Sequence, residues 1–286
     1  MDIPILYKYR EFNESNVLLP SGEQIPRWQW DLFYGMISPA PPEVFNDPYD
    51  CDLLVDDSFL LQKAARELYI STLAEMQVLS ESEKELLRTT KDWKTALESI
   101  MQISFSSNFD GELMNAVNTT FQGIRKELRV DCFSEAKDSI LMWSHYAKKH
   151  TGFCVEYDFH NSKLAQHLHP VQYAQDRKFI PGSFADHDNV TANQAVYEAA
   201  LYKSEEWSYE KEWRCVFYKN QLNPLPFDIS RFAFDVQSCI TAVYLGAKTP
   251  EKYCTQICDH YKGMHIKIYQ MELIPDSYKL NPKQLQ

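Results

Sequence analysis

The hydrophobic period changes twice along this chain, and that change limits what it can fold into more than any single motif does. At Leu6-Tyr7-Lys8-Tyr9-Arg10 the period is two: Lys8 and Arg10 share one face and Tyr7 and Tyr9 the other, as in a short strand. From about 57 to 126 the period becomes helical. Leu60, Leu61, Ala64, Ala65 and Leu68 make one apolar stripe, and Ser80 with Glu83 forms a capping box that opens a second helix. Further helices are expected over 93–103 and 113–128. Between the first strand and this helical stretch, Ser38-Pro39-Ala40-Pro41-Pro42 and Phe45-Asn46-Asp47-Pro48-Tyr49-Asp50 can only be loop.

Strands return after 128. They are expected at 129–134, 153–157, 170–173 and 212–218, with a helix over 139–150 stopped by a left-handed Gly152 and another over 192–203. The last part reads as a β-α-β unit: strand 240–245, helix 250–261 with proline in its first turn, and strand 265–271. The sum is an α+β fold, a single domain over 1–286 in which 57–126 is a helical insertion.

Charge and cysteine usage narrow the function. Forty acidic against 29 basic side chains give a net charge of −11, which disfavours a broad nucleic-acid surface. The start, MDIPILYKYREFN, lacks the pattern of a secretory signal, and no apolar run is long enough to cross a bilayer. Seven scattered cysteines suit reduced thiols, so a cytoplasmic protein is expected. Cys254, Cys258 and His260 have metal-like spacing, but no second Cys/His pair follows, and buried thiols are the better reading.

Three segments could carry chemistry. In Trp207-Ser208-Tyr209-Glu210-Lys211-Glu212-Trp213-Arg214, a strand would put Glu210, Glu212 and Arg214 on one face. That arrangement is either a solvated ion pair or a site. Ser134, at the end of a strand, and Trp143, Tyr146 and His150, on nearly one side of a helix, could wall an aromatic slot or simply be core; His145 is more easily structural than catalytic. Asp47 and Asp50 could hold a hard cation or merely fix a turn. Nucleophile-elbow, phosphate-loop and dinucleotide glycine motifs are all absent.

Taken in order, Leu6 to Arg10, Phe45-Asn46-Asp47-Pro48, Cys132-Phe133-Ser134, Met142-Trp143-Ser144-His145-Tyr146-Ala147, His150-Thr151-Gly152-Phe153-Cys154 and Trp207 to Arg214 resemble a bacterial and phage family known only as a domain of unknown function. More distantly, three of these elements are similar to those of the ADP-ribosyltransferase superfamily: a first strand with a basic residue, a second with Ser, and a third with Glu-x-Glu, here Glu210-Lys211-Glu212. Many relatives carry His where this chain has Lys8. The resemblance implies a split mixed or antiparallel sheet with flanking helices. It also implies NAD as substrate without a metal, a macromolecular or other acceptor, and a role as toxin or phage-defence effector.

Under that reading Glu212 stabilises the cation that develops on the ribose, Glu210 orients the acceptor, and Ser134 belongs to the catalytic group. Lys8 or Arg10 would hold the pyrophosphate, with Trp143 or Tyr146 stacked on nicotinamide and His145 nearby. The alternatives are a metal-assisted hydrolase or nuclease using Asp47, Asp50, Glu210 and Glu212, and a noncatalytic nucleotide- or protein-binding module.

Overall fold

A computed structural model describes residues 3–52, 63–102, 109–177, 192–222, 224–225 and 228–286. The chain divides into two compact units, one of Met1–Val44, Arg129–Tyr173 and Ser204–Gln286, the other of Phe45–Leu128 and Ala174–Lys203.

The first unit is built on a mixed eight-stranded sheet. Its strands are β1 (Leu6–Arg10), β2 (Leu128–Ser134), β3 (Phe153–Tyr157), β4 (Leu168–Pro170), β5 (Glu212–Tyr218), β6 (Ile240–Leu245), β7 (Lys267–Leu273) and β8 (Leu280–Gln284), in the spatial order β8-β7-β6-β3-β1-β2-β5-β4. The β-α-β unit at the end forms as expected. β6 and β7 pair in parallel, and the helix Glu251–His260 makes the crossover that parallel neighbours require. β1 lies antiparallel between β2 and β3, with Tyr7 opposite both Ser134 and Glu156.

Strand alternation gives this sheet two different faces. One, the Leu6 face, packs Leu6, Phe133, Tyr157, Trp213 and Val243 against Trp28 and Leu32 of the helix Arg27–Leu32 and Tyr253 and Ile257 of Glu251–His260. The other, the Tyr7 face, packs Tyr7, Tyr9, Cys154 and Tyr244 against Met142 and Trp143 of the short helix Ile140–His145.

Several boundaries differ from expectation: the strand expected at 170–173 lies at Leu168–Pro170 in the sheet, the helix expected over 192–203 ends at Ala199, and two further differences have backbone causes. The helix expected over 139–150 is capped by Ser139 but ends at His145, because Lys148, Lys149 and His150 adopt φ of 47°, 58° and 68° and turn the chain back. Gly152 is not the left-handed stop. It is needed because a Cβ there would lie 2.1 Å from the Arg10 carbonyl oxygen. Likewise Glu210 is not in a strand: it ends a 3-10 helix, Glu205–Glu210, and Lys211 at φ 45° reverses the chain so that β5 begins at Glu212.

The second unit contains the helices Lys63–Glu75, Glu81–Thr89, Trp93–Met101 and Phe109–Glu127, which fall in the stretch of helical period. The Ser80–Glu83 capping box is present, its two backbone bonds at 3.3 and 2.7 Å. Leu60 and Leu61 lie outside the described residues. Residues 174–203, with the helix Ala192–Ala199, belong to the same unit, an association that periodicity alone did not indicate. Among the described residues no helix is long and apolar enough to cross a membrane.

Candidate active site

The Tyr7 face carries a polar group at the ends of β2 and β5. Ser134, fully buried, donates its hydroxyl to the backbone carbonyl of Glu210 at 2.5 Å and accepts from the Ala136 amide at 2.9 Å. These bonds make Ser134 a clamp that fixes where Glu210 leaves its 3-10 helix. Its proton is committed to a carbonyl, so its role is positioning. The clamp is completed by the Glu135 amide, which donates to the Lys211 carbonyl at 3.0 Å.

Glu210 is only 3% exposed, and its carboxylate accepts from the Tyr146 hydroxyl at 2.5 Å. A buried carboxylate needs such donors to offset its lost hydration. Tyr146 follows the helix Ile140–His145 and stays half-buried, so its ring reaches the surface while its hydroxyl reaches Glu210. His145 is exposed, with its ring edge toward Tyr146 at 6.3 Å.

Glu212 occupies a different environment although it lies two residues away. Arg214 is completely buried and grips it with two prongs, Nε to Oε1 at 2.8 Å and Nη2 to Oε2 at 3.0 Å. The Glu212 amide also donates to the Tyr173 hydroxyl at 2.8 Å. Burial, then the nearby Glu212 charge, pushes the Cys132 thiol well above its ordinary range, so this sulfur stays protonated. With its carboxylate neutralised by a guanidinium, Glu212 is a poor partner for a cation developing elsewhere.

Lys8 and Arg10 do not join this group. They alternate with Tyr7 and Tyr9 and so face the opposite side of the sheet. Lys8 Nζ lies 2.5 Å from Asp131 Oδ1 and 2.7 Å from the Cys132 carbonyl, and 4.8 Å over the Phe133 ring. Arg10 pairs with Asp31 at 3.5 Å, and Asp31 also holds Arg27 at 2.9 Å. The expected phosphate-holding role is therefore misplaced for both cations, which serve buried aspartates. Trp143 is also redirected: it is fully buried, edge-on to Tyr9 at 5.2 Å, and donates to the Lys137 carbonyl at 2.9 Å. It is core and offers no free ring face for nicotinamide.

The remaining candidates have local partners. Asp47 accepts from the Tyr49 amide at 2.9 Å, which closes the turn before Pro48-Tyr49, and Asp50 faces Lys203 at 3.7 Å with both side chains buried. Cys254 and Cys258 are free and half-buried, and His260 stacks on Phe33 at 3.7 Å. Among the described residues no three His, Cys, Asp or Glu side chains gather as a metal would need.

Sequence reasoning missed the neighbours of Ser134 across the sheet. Tyr7 donates to Glu156 Oε2 at 3.0 Å, Tyr244 to the same oxygen at 2.8 Å, and Thr241 to Oε1 at 2.7 Å. The available signals were the alternation that pairs Tyr7 with Tyr9 and the single carboxylate in the apolar run Phe153–Tyr157. The charges of Lys8 and Arg10, on the other face of β1, are the stronger signal in the sequence.

Residues 142–215 match the model of a family described as a protein of unknown function, DUF2971. That span holds Tyr146, Glu156, Glu210, Glu212 and Arg214 but neither β1 nor Ser134. No curated protein and no solved structure matches the chain.

Proposed function

We propose that the chain is an NAD-using glycosyl-transfer enzyme, a transferase or NAD glycohydrolase of ADP-ribosyltransferase-like chemistry, with Glu210 as its charge-stabilising carboxylate. The observation that carries this reading is the convergence on Glu210: its buried carboxylate accepts from the hydroxyl of half-buried Tyr146 at 2.5 Å, and Ser134 fixes its backbone carbonyl at 2.5 Å. Cleaving the bond between nicotinamide and ribose releases neutral nicotinamide and leaves positive charge on the sugar. A carboxylate already oriented by Tyr146 stabilises that charge more than it stabilises the ground state. Water or an acceptor nucleophile then attacks the same carbon. Ser134 contributes by fixing the Glu210 backbone, and Glu212 pairs with the buried Arg214 at the start of β5.

Full-length protein incubated with NAD and a chelator should release nicotinamide. Glu210→Gln should reduce that turnover by about 10²–10³-fold, the scale of losing one group that stabilises the transition state. Native protein that neither binds nor cleaves NAD overturns the proposal. A noncatalytic binding module is the second reading, favoured by the engagement of both Ser134 and Glu212 in internal bonds. NAD binding without turnover would select it.

A further inference from the structure

A second cluster lies on the Tyr7 face beyond Ser134, centred on Glu156. Tyr7 stands edge-on to Tyr244 with centroids 6.1 Å apart, and Tyr244 stacks on Tyr269 at 4.9 Å and 10°. Three hydroxyls, from Tyr7, Tyr244 and Thr241, converge on the Glu156 carboxylate. Burial, together with the Glu156 charge and hydrogen bond, holds both phenols far above their ordinary titration range, so they remain neutral donors. Hydroxyls satisfy the lone pairs of Glu156 but leave its negative charge uncompensated: among the described residues it has no ion-pair partner.

An ammonium from the chain itself already occupies the space over these rings. Lys137 Nζ lies 5.6 Å from the Tyr244 centroid and 6.0 Å from that of Tyr7, within the range at which ring faces attract cations. Among the described residues it forms no ion pair. Its backbone is pinned, because Tyr9 donates to the Ala136 carbonyl at 2.7 Å and Trp143 to that of Lys137 at 2.9 Å. The turn therefore stays in place while the half-exposed lysine side chain can swing away.

We propose that Glu156, Tyr7 and Tyr244, the last backed by the stacked Tyr269 ring, form a binding site for an alkylammonium group, with the Lys137 side chain as its resident stand-in. The site supplies a carboxylate and aromatic faces, the two features that recognise an organic cation, and its occupant is held by neither hydrogen bond nor ion pair. This inference does not depend on NAD chemistry.

The test is to titrate n-butylammonium into full-length Lys137→Ala, with n-butanol as the uncharged control of similar shape, and to read binding by calorimetry. The variant should bind n-butylammonium at least about tenfold more tightly than n-butanol, and about tenfold more tightly than native protein does. Adding Glu156→Gln should abolish the preference for charge. Tighter binding of Nα-acetyl-lysine methylamide than of n-butylammonium would identify a polypeptide-borne amine as the source; the reverse order would identify a free amine. A folded Lys137→Ala protein that does not distinguish amine from alcohol overturns the proposal. Should Lys137→Ala fail to fold, Lys137→Gln keeps much of the stem for the same titration. Unfolding of both variants would make the lysine a structural cation and likewise overturn the proposal.

Discussion

The two faces of the eight-stranded sheet handle buried charge in opposite ways. On the Leu6 face, Lys8 and Arg10 each meet an aspartate inside an otherwise apolar layer. On the Tyr7 face, Glu156 is met by three hydroxyls, those of Tyr7, Tyr244 and Thr241. An ion pair cancels charge and leaves little for a ligand to use. A carboxylate solvated by hydroxyls keeps its charge and is ready for a cation. Charge on the Leu6 face is therefore cancelled in ion pairs, and on the Tyr7 face Glu156 keeps its charge among hydroxyls. Glu212 and Arg214 are the exception, an ion pair of the first kind placed on the second face.

That exception supplies the most demanding test. Arg214→Met should cost about 3–5 kcal/mol of stability in urea unfolding, because it leaves the Glu212 carboxylate buried without its counter-ion. Lys8→Met should cost a similar amount through Asp131, whose side chain is 5% exposed, while the folded fraction keeps full activity toward NAD. If Lys8→Met instead abolished turnover without loss of stability, the division of labour between the faces would be wrong. Tyr146→Phe removes one hydrogen bond to a charged group and should cost about 1.5–3 kcal/mol, divided between stability and turnover. Rescue of turnover by moderately raised NAD would place the loss in binding rather than in the reacting state.

Much of the fold could be read from the chain because it depends on local periodicity. The alternation in β1, the capping box at Ser80 and the strand-helix-strand pattern after 239 each leave a mark within a few residues. The site was harder to read because its assembly depends on two things that leave a weak local mark. One is the left-handed Lys211, which takes Glu210 out of the strand pattern that its spacing from Glu212 suggests. The other is cross-strand register, which sets Tyr7 between Ser134 and Glu156, residues far from it in sequence. Sequence did show that Lys8 and Arg10 share a face, and that Tyr7 and Tyr9 share the other. It could not show which face Ser134 would join. Charge drew attention to Lys8 and Arg10, although hydroxyl groups on the aromatic face make the polar network.

A smaller effect comes from one histidine on each face. His150 stacks beside Trp143 on the Tyr7 face, its Nε2 3.3 Å from the Ser144 hydroxyl and its Nδ1 without a hydrogen-bond partner among the described residues. His260 stacks on Phe33 on the Leu6 face, and among the described residues its Nε2 likewise lacks a hydrogen-bond partner. Burial lowers the pKa of both below the ordinary 6.5, and Lys248 adds to the effect at His150. Each is therefore neutral in the folded protein at a pH where the unfolded chain has begun to take up protons. The contribution is complete above the unfolded value and is lost as pH falls through it toward the lower folded value. Urea midpoints should hold steady at about pH 7 and above and decline toward about pH 5. His260→Phe keeps the ring stack and removes the titration, so it should flatten part of that decline. His150→Asn should flatten another part, since asparagine tolerates the left-handed backbone at φ 68°. Because the two histidines lie on opposite faces, the two effects should add. A decline unchanged in the double variant would assign acid sensitivity to carboxylates alone.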